Sequence, residues 1–233
     1  MANTDYQKIN TLFMRDDNKM IIPDQFTCEE FDYLKDLKWE CTEKIDGTNI
    51  HADILSDGTD VKIKLCGRTE KAVIPTHLLE RLNKLFDKHL VYLAFEKQIT
   101  EATPETPFQA SVYGEGYGMK IQKGGNYISK GVDFILFDVR IGRWWLNRTA
   151  CEDIASRLNV PVVPLIGYMT IPEAIDYVKK GFKSTIAENK DYDAEGLVLK
   201  TPYGLQFRNG ERIITKLKTC DFIKYCAKYG VEL

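Results

Sequence analysis

The 233-residue chain has no Cys-x-x-Cys pair and only three histidines, so local spacing offers no zinc-ligand pattern. It has no long apolar run, and residues 1–10 are polar without an apolar stretch. Those two absences argue against a membrane-spanning helix and a signal peptide. No internal repeat, low-complexity tract or Pro/Gly/Ser-rich linker divides the chain, which reads as one domain over residues 1–233. The six cysteines (Cys28, Cys41, Cys66, Cys151, Cys220 and Cys226) are scattered. The expectation is a reduced, soluble, intracellular protein with no catalytic thiol.

Charge of one sign is also lacking. The formal net charge is −2, so the bulk balance does not announce a nucleic-acid partner. The distribution is uneven, because Lys200, Arg208, Arg212, Lys216, Lys218, Lys224 and Lys228 face only Glu211 and Asp221 in the same stretch. Such a run is either a phosphate-binding surface or a solvated face balanced elsewhere. With 44% hydrophobic and 28% charged residues, the chain has an ordinary globular composition.

Apolar periodicity predicts one helix over residues 76–97, with Leu78, Leu79, Leu82, Leu85, Phe86, Leu90 and Leu93 facing a core. Thr149-x-x-Glu152 and Thr170-x-x-Glu173 read as capping boxes, and Gly181 as a left-handed helix stop. Strands are expected over 50–55, 61–65, 109–113, 133–139, 196–200 and 212–217, with Asn209-Gly210 at a hairpin tip. Strands and helices do not alternate regularly. The fold class is therefore α+β, with mainly antiparallel sheets and flanking helices rather than a doubly wound parallel sheet.

Five short strings could carry chemistry. In Glu43-Lys44-Ile45-Asp46-Gly47-Thr48-Asn49, Lys44 is either a nucleophile or a surface lysine beside a turn. Tyr113-Gly114-Glu115-Gly116 offers a carboxylate for ribose hydroxyls and glycines that would admit a ligand, or is a glycine-rich strand end. In the strand around Phe134 to Asp138, Phe137 alternates with buried Leu136 and could stack on a base. Glu195 opens the strand that ends at Lys200, and could hold a divalent metal. Lys216 and Lys218, two apart, share a strand face, where an anion between them would relieve their repulsion.

Taken in order, with Gly67-Arg68 after the first string, these resemble the signature of covalent nucleotidyltransferases, the superfamily of DNA ligases, RNA ligases and mRNA capping enzymes. The RNA ligase 2 family, known from phages, is the most similar. Glu43-Lys44-Ile45-x-Gly47-Thr48-Asn49, Gly118-x-x-Ile121-Gln122-Lys123, and Arg208-Asn209-Gly210-x-Arg212 leading to Lys216-x-Lys218 carry that resemblance, which spans residues 39–222. Asp46 stands where some members have His; Asp is common across ligases.

The resemblance implies a nucleotidyltransferase fold with the nucleotide pocket between the sheets, and an ATP-dependent RNA ligase using Mg2+ or Mn2+. Lys44 would carry AMP. Lys216 and Lys218 would contact the α-phosphate, and Glu195 the metal. Glu43, Asn49, Arg68, Glu115 and Phe137 would complete nucleotide binding. Arg68, Lys200, Arg208 and Arg212 would hold RNA phosphates. The substrate would be RNA with 5′-phosphate and 3′-hydroxyl ends, nicked duplex included, in the cytoplasm of a host or of phage or viral origin. The OB or helical appendage of relatives is expected to be absent, and a catalytic subunit that needs a separate partner protein in its place is an alternative reading. The rival readings are a DNA ligase, a GTP-using capping enzyme, or a module that binds a nucleotide or adenylated RNA without turnover.

Overall fold

The computed structural model describes residues 4–69, 72–122 and 127–231. Lys123, part of the second resembling string, lies outside the described residues. In chain order the strands are β1 (Asn10–Thr11), β2 (Phe13–Arg15), β3 (Ile21–Phe26), β4 (Trp39–Glu43), β5 (Thr48–Ser56), β6 (Val61–Gly67), β7 (Phe108–Gly118), β8 (Val132–Ile141), β9 (Trp144–Trp145), β10 (Leu165–Met169), β11 (Gly196–Lys200) and β12 (Ile214–Lys218). The helices are α1 (Glu29–Tyr33), α2 (Thr76–Leu85), α3 (Lys88–Ala94), α4 (Glu96–Thr100), α5 (Arg148–Leu158), α6 (Ile171–Lys179) and α7 (Thr219–Tyr229). The chain divides into two compact units, one of residues 1–6 and 46–163, the other of 7–45 and 164–233.

The first unit is an antiparallel sheet in the order β6-β5-β7-β8-β9. Alternation along β5 sends Ile50, Ala52 and Ile54 into a core with Leu78, Leu82 and Phe134. His51 and Asp53 take the other face. The helix expected over 76–97 is broken in two places, giving α2, α3 and α4. Asp87 causes the first break, since its carboxylate accepts the His89 backbone N–H at 2.9 Å and starts a new helix. The restart rotates the stripe, so Val91 and Ala94 are buried while Leu93 is exposed. Helix α5 is capped two residues before the expected Thr149. Asn147 caps it, accepting from Ala150 N, and Glu152 pairs with Arg148 one turn away.

The second unit holds a sheet in the order β1-β12-β11-β4-β10, antiparallel except for the β1–β12 edge, together with the β2–β3 hairpin. Pairs Leu197–Glu43, Leu199–Cys41 and Leu197–Leu217 lie on one face; Val198–Thr42 and Val198–Lys216 lie on the other. The first face supplies Leu197, Leu199, Leu217 and Trp39 to a core shared with Ile171, Ala174 and Val178 of α6 and Phe222 of α7. Gly196 is required at the start of β11. Its φ is +151°, and a Cβ there would sit 2.0 Å from Leu217 O. The last strand begins at Ile214 rather than Arg212, because Arg212 belongs to the hairpin bridged at Gln206–Arg212. Gly210 at its tip has φ +83°.

Helix α6 carries the capping box read from Thr170 and Glu173, and Gly181 follows it with φ +68°. The Glu173 carboxyl is held down to about 2, first by the hydrogen bond from Lys38, then by the Thr170 backbone N–H. A carboxyl lowered on folding stabilises above its unfolded value of 4.5, and that support is lost as pH falls from there toward 2. Replacing Thr170 by Ala should cost about 1 kcal/mol. Urea unfolding at neutral pH would measure this cost. The same titrations repeated between pH 5 and pH 2 should show the difference between Glu173→Gln and wild type shrinking as the pH falls.

Candidate active site

The lysine face of the second unit is built by three adjacent strands. Lys44 follows β4 and extends its ladder, donating its backbone N–H to Gly196 O at 2.9 Å. That bond places Lys44 beside Glu195, the residue preceding β11. Glu195 in turn accepts the Thr219 backbone N–H at 3.0 Å, which fixes it against the junction of β12 and α7. The side chains then converge. Lys44 Nζ donates to Glu195 Oε2 at 2.6 Å, and Lys218 Nζ lies 2.6 Å from Glu195 Oε1. Side-chain exposures of 19%, 14% and 30% for Lys44, Glu195 and Lys218 leave the trio reachable but only partly hydrated.

One carboxylate thus bridges two ammonium groups. Burial works against the Lys218 charge, but the hydrogen bond and the charge of Glu195 outweigh it and hold this amine above the ordinary lysine value. Lys216 lies on the same face of β12, two residues back and opposite Val198. Lys218 is also the N-cap residue of α7, so the positive end of an eleven-residue helix opens at this position. The combination is a cationic surface with an exchangeable carboxylate at its centre, suited to a polyphosphate.

Glu43 does not share this face. Its side chain is buried and accepts from Ser184 Oγ at 2.5 Å, Thr185 N at 2.9 Å and Thr185 Oγ1 at 2.7 Å. Strand alternation turns it toward the 184–185 segment, and protein donors occupy both oxygens. Nothing in the sequence signalled Ser184 or Thr185, because the contact spans more than 140 residues.

In the first unit, Asn49 and Glu115 are cross-strand partners on β5 and β7. Asn49 Oδ1 is buried and has no hydrogen-bond partner among the described residues, an acceptor available to a ligand donor. The neighbouring glycines are tightly packed against the protein itself. A Cβ at Gly114 would meet Phe134 Cζ at 2.2 Å, one at Gly116 would meet Leu78 Cδ2 at 2.5 Å, and one at Gly47 would meet Gly116 O at 2.3 Å. Close packing, not ligand approach, demands glycine there. Phe137 is the extra residue where the β7–β8 register shifts, half-buried, with its ring centroid 5.0 Å from that of Tyr6 in an edge-on arrangement. Arg68 is exposed just beyond β6.

The expected RNA-phosphate contacts separate. Arg208 is exposed at the hairpin tip and Lys200 is half-buried at the end of β11. Arg212 is only 5% exposed, and Gln7 binds both its backbone N–H and C=O, at 3.0 and 2.8 Å. Its burial runs against the expectation that it forms part of an open phosphate surface. Burial pushes the Cys28 thiol up to about 11 and the Cys41 thiol up to about 12.

Comparison with known proteins gives the family and the fold. The family model described as RNA ligase matches residues 37–218. The solved structure of Naegleria gruberi RNA ligase with PPi aligns over 99% of this chain and 58% of that one, at a TM-score of 0.61 and 20% identity. A lysine-to-alanine variant of that ligase with ATP and Mn aligns over 84% and 53%, at 0.58 and 21%. A glutamate-to-alanine variant with AMP and Mn aligns over 86% and 54%, at 0.57 and 20%. The chain therefore spans about 58% of the first solved structure's length and shares its fold.

Glu43→Ala would leave the Ser184 and Thr185 donors buried without an acceptor. A loss of about 3 kcal/mol is expected, with Glu43→Gln recovering part of it. Urea midpoints for the two variants measure this; equal midpoints with wild type would contradict the buried network.

Proposed function

Because the chain belongs to the RNA ligase family, we propose that it seals RNA ends with ATP, using Lys44 as a nucleophile that carries AMP. The observation that supports this most is the single carboxylate of Glu195 set between the Lys44 and Lys218 amines.

Lysine attacks only as the free amine. The Lys44 nitrogen would displace pyrophosphate from the α-phosphorus, forming a P–N bond as the P–O bond to pyrophosphate breaks, with the amine proton lost to solvent. The AMP would pass to the 5′-phosphate of RNA, breaking the P–N bond and returning the electron pair to Lys44. A 3′-hydroxyl would then attack the activated phosphate, forming the phosphodiester and releasing AMP.

Each residue has a task suited to its chemistry. Lys218 and Lys216 neutralise charge on the α-phosphate, where preorganised cations stabilise a transition state without reorganising. Lys218 can do so only after releasing Glu195, and an arriving phosphate offers a replacement anion. Glu195 fits a divalent cation, Mg2+ or Mn2+, because its oxygens are hard donors held by mobile amines rather than by backbone groups. When bound, the cation supplies charge neutralisation at the phosphates. Glu115 accepts from the ribose hydroxyls, Phe137 stacks on adenine, and Asn49 Oδ1 takes a donor from the nucleotide. Arg68 holds the ribose side or the 5′-phosphate, and Lys200 and Arg208 hold RNA backbone phosphates, with affinity that falls as salt rises. Glu43, turned away from the lysine face, acts through the 184–185 segment it anchors. The substrate is RNA with 5′-phosphate and 3′-hydroxyl ends, nicked duplex included, sealed in the cytoplasm. Residues 1–233 act as one nucleotidyltransferase domain, with a separate RNA-binding partner protein as the alternative source of RNA grip.

Incubation with ATP labelled on the α-phosphate and magnesium, followed by denaturing electrophoresis, tests the reading. A labelled band should form in wild type and be absent from Lys44→Ala and Lys44→Arg. Label persisting on Lys44→Ala would overturn the assignment. Lys218→Ala should form the band roughly 10²–10³ times more slowly.

A further inference from the structure

We propose that His51, Asp53 and Cys66 form a binding site for a borderline-soft divalent metal ion, zinc in the first instance, apart from the nucleotide chemistry. The three residues lie on one face of the β5–β6 pair. His51 and Cys66 are direct register partners, and Asp53 follows His51 by two residues. Their donor atoms all lie within 4.8 Å of one another.

His51 is the observation that asks for a ligand. Its side chain is fully buried, yet among the described residues neither ring nitrogen has a hydrogen-bond partner. Nε2 approaches Asp53 Oδ2 only to 3.5 Å, a charge-range separation rather than a hydrogen bond. A buried imidazole with both nitrogens unsatisfied is costly to keep, and a metal ion takes one of them directly.

The donor set selects the ion. Imidazole with thiolate favours zinc over magnesium or calcium, and one thiolate, one carboxylate and one neutral imidazole leave a bound divalent ion with no net charge. That neutrality matters at a site where His51 is buried and Cys66 is 4% exposed. The carboxylate is already oriented: Ser111 Oγ donates to Asp53 Oδ1 at 2.7 Å, and Thr4 Oγ1 to Oδ2 at 2.8 Å. Such outer contacts are what ligating carboxylates ordinarily have. Asp53 retains 22% side-chain exposure, which gives the ion an entry and a water the fourth position. An imidazole nitrogen, a carboxylate oxygen and a thiolate around one zinc ion lie roughly 3.3–3.5 Å apart, so binding draws these three together by up to about 1.5 Å. As the metal–sulfur bond forms, the Cys66 thiol proton leaves to solvent.

The test uses the full chain, stripped with chelator, kept reduced and titrated with Co2+. A near-ultraviolet thiolate-to-cobalt charge-transfer band should grow to one equivalent and disappear on adding Zn2+. It should be absent from Cys66→Ser and intact in Cys220→Ser, whose thiol is exposed. No band in wild type, or a band that survives Cys66→Ser, overturns the site. Should Cys66→Ser fail to fold, alkylation of wild type in mild denaturant decides. Zn2+ should slow modification of Cys66 at least tenfold relative to chelator-treated protein, mapped by mass spectrometry. An unchanged Cys66 rate overturns the proposal.

Discussion

A carboxylate that must serve two amines at once is the constraint around which the lysine face is built. Glu195 cannot be displaced along the chain without losing one contact. Its backbone carbonyl is fixed by Thr219 N–H, and the Lys44 N–H is fixed by Gly196 O. The ion pairs are partly buried, so salt screens them less than an exposed pair. The arrangement holds Lys218 protonated and keeps the Lys44 amine engaged until a competing anion or cation redistributes the charges.

Sheet alternation does the sorting that makes this possible. On β4, β11 and β12, Trp39, Cys41, Leu197, Leu199 and Leu217 go to the helix-packed face, while Thr42, Val198, Lys216 and Lys218 share the other. Glu43 and Lys44, adjacent in sequence, are thereby given opposite work. One is buried among Ser184 and Thr185, and the other stands beside Glu195. The requirement for glycine at position 196 belongs to the same geometry, because β11 and β12 approach too closely there for any side chain.

The chemistry-bearing strings were legible because each depends on residue type and order. Lys44, Glu195 and Lys218 come together in space as their order suggested, and the strand over 196–200 has the bounds expected from its apolar run. What sequence periodicity missed was decided by single side chains acting at a distance. Asp87 broke a helix whose apolar stripe looked continuous. Arg212, expected at the surface, is buried, with Gln7 holding both of its backbone groups. The His51–Cys66 pairing was invisible for a related reason. Local spacing contains no metal pattern, yet strand register places those donors side by side.

The most direct test of the central interaction is the pH dependence of acylation of the Lys218 amine, followed by mass spectrometry in wild type and in Glu195→Gln. Glu195 holds this amine above the ordinary lysine value, so half-labelling in wild type should fall at higher pH than for an exposed lysine, and it should move down in the variant. The same midpoint in both proteins would mean that Glu195 does not bind the amine, and the bridged site would have to be abandoned.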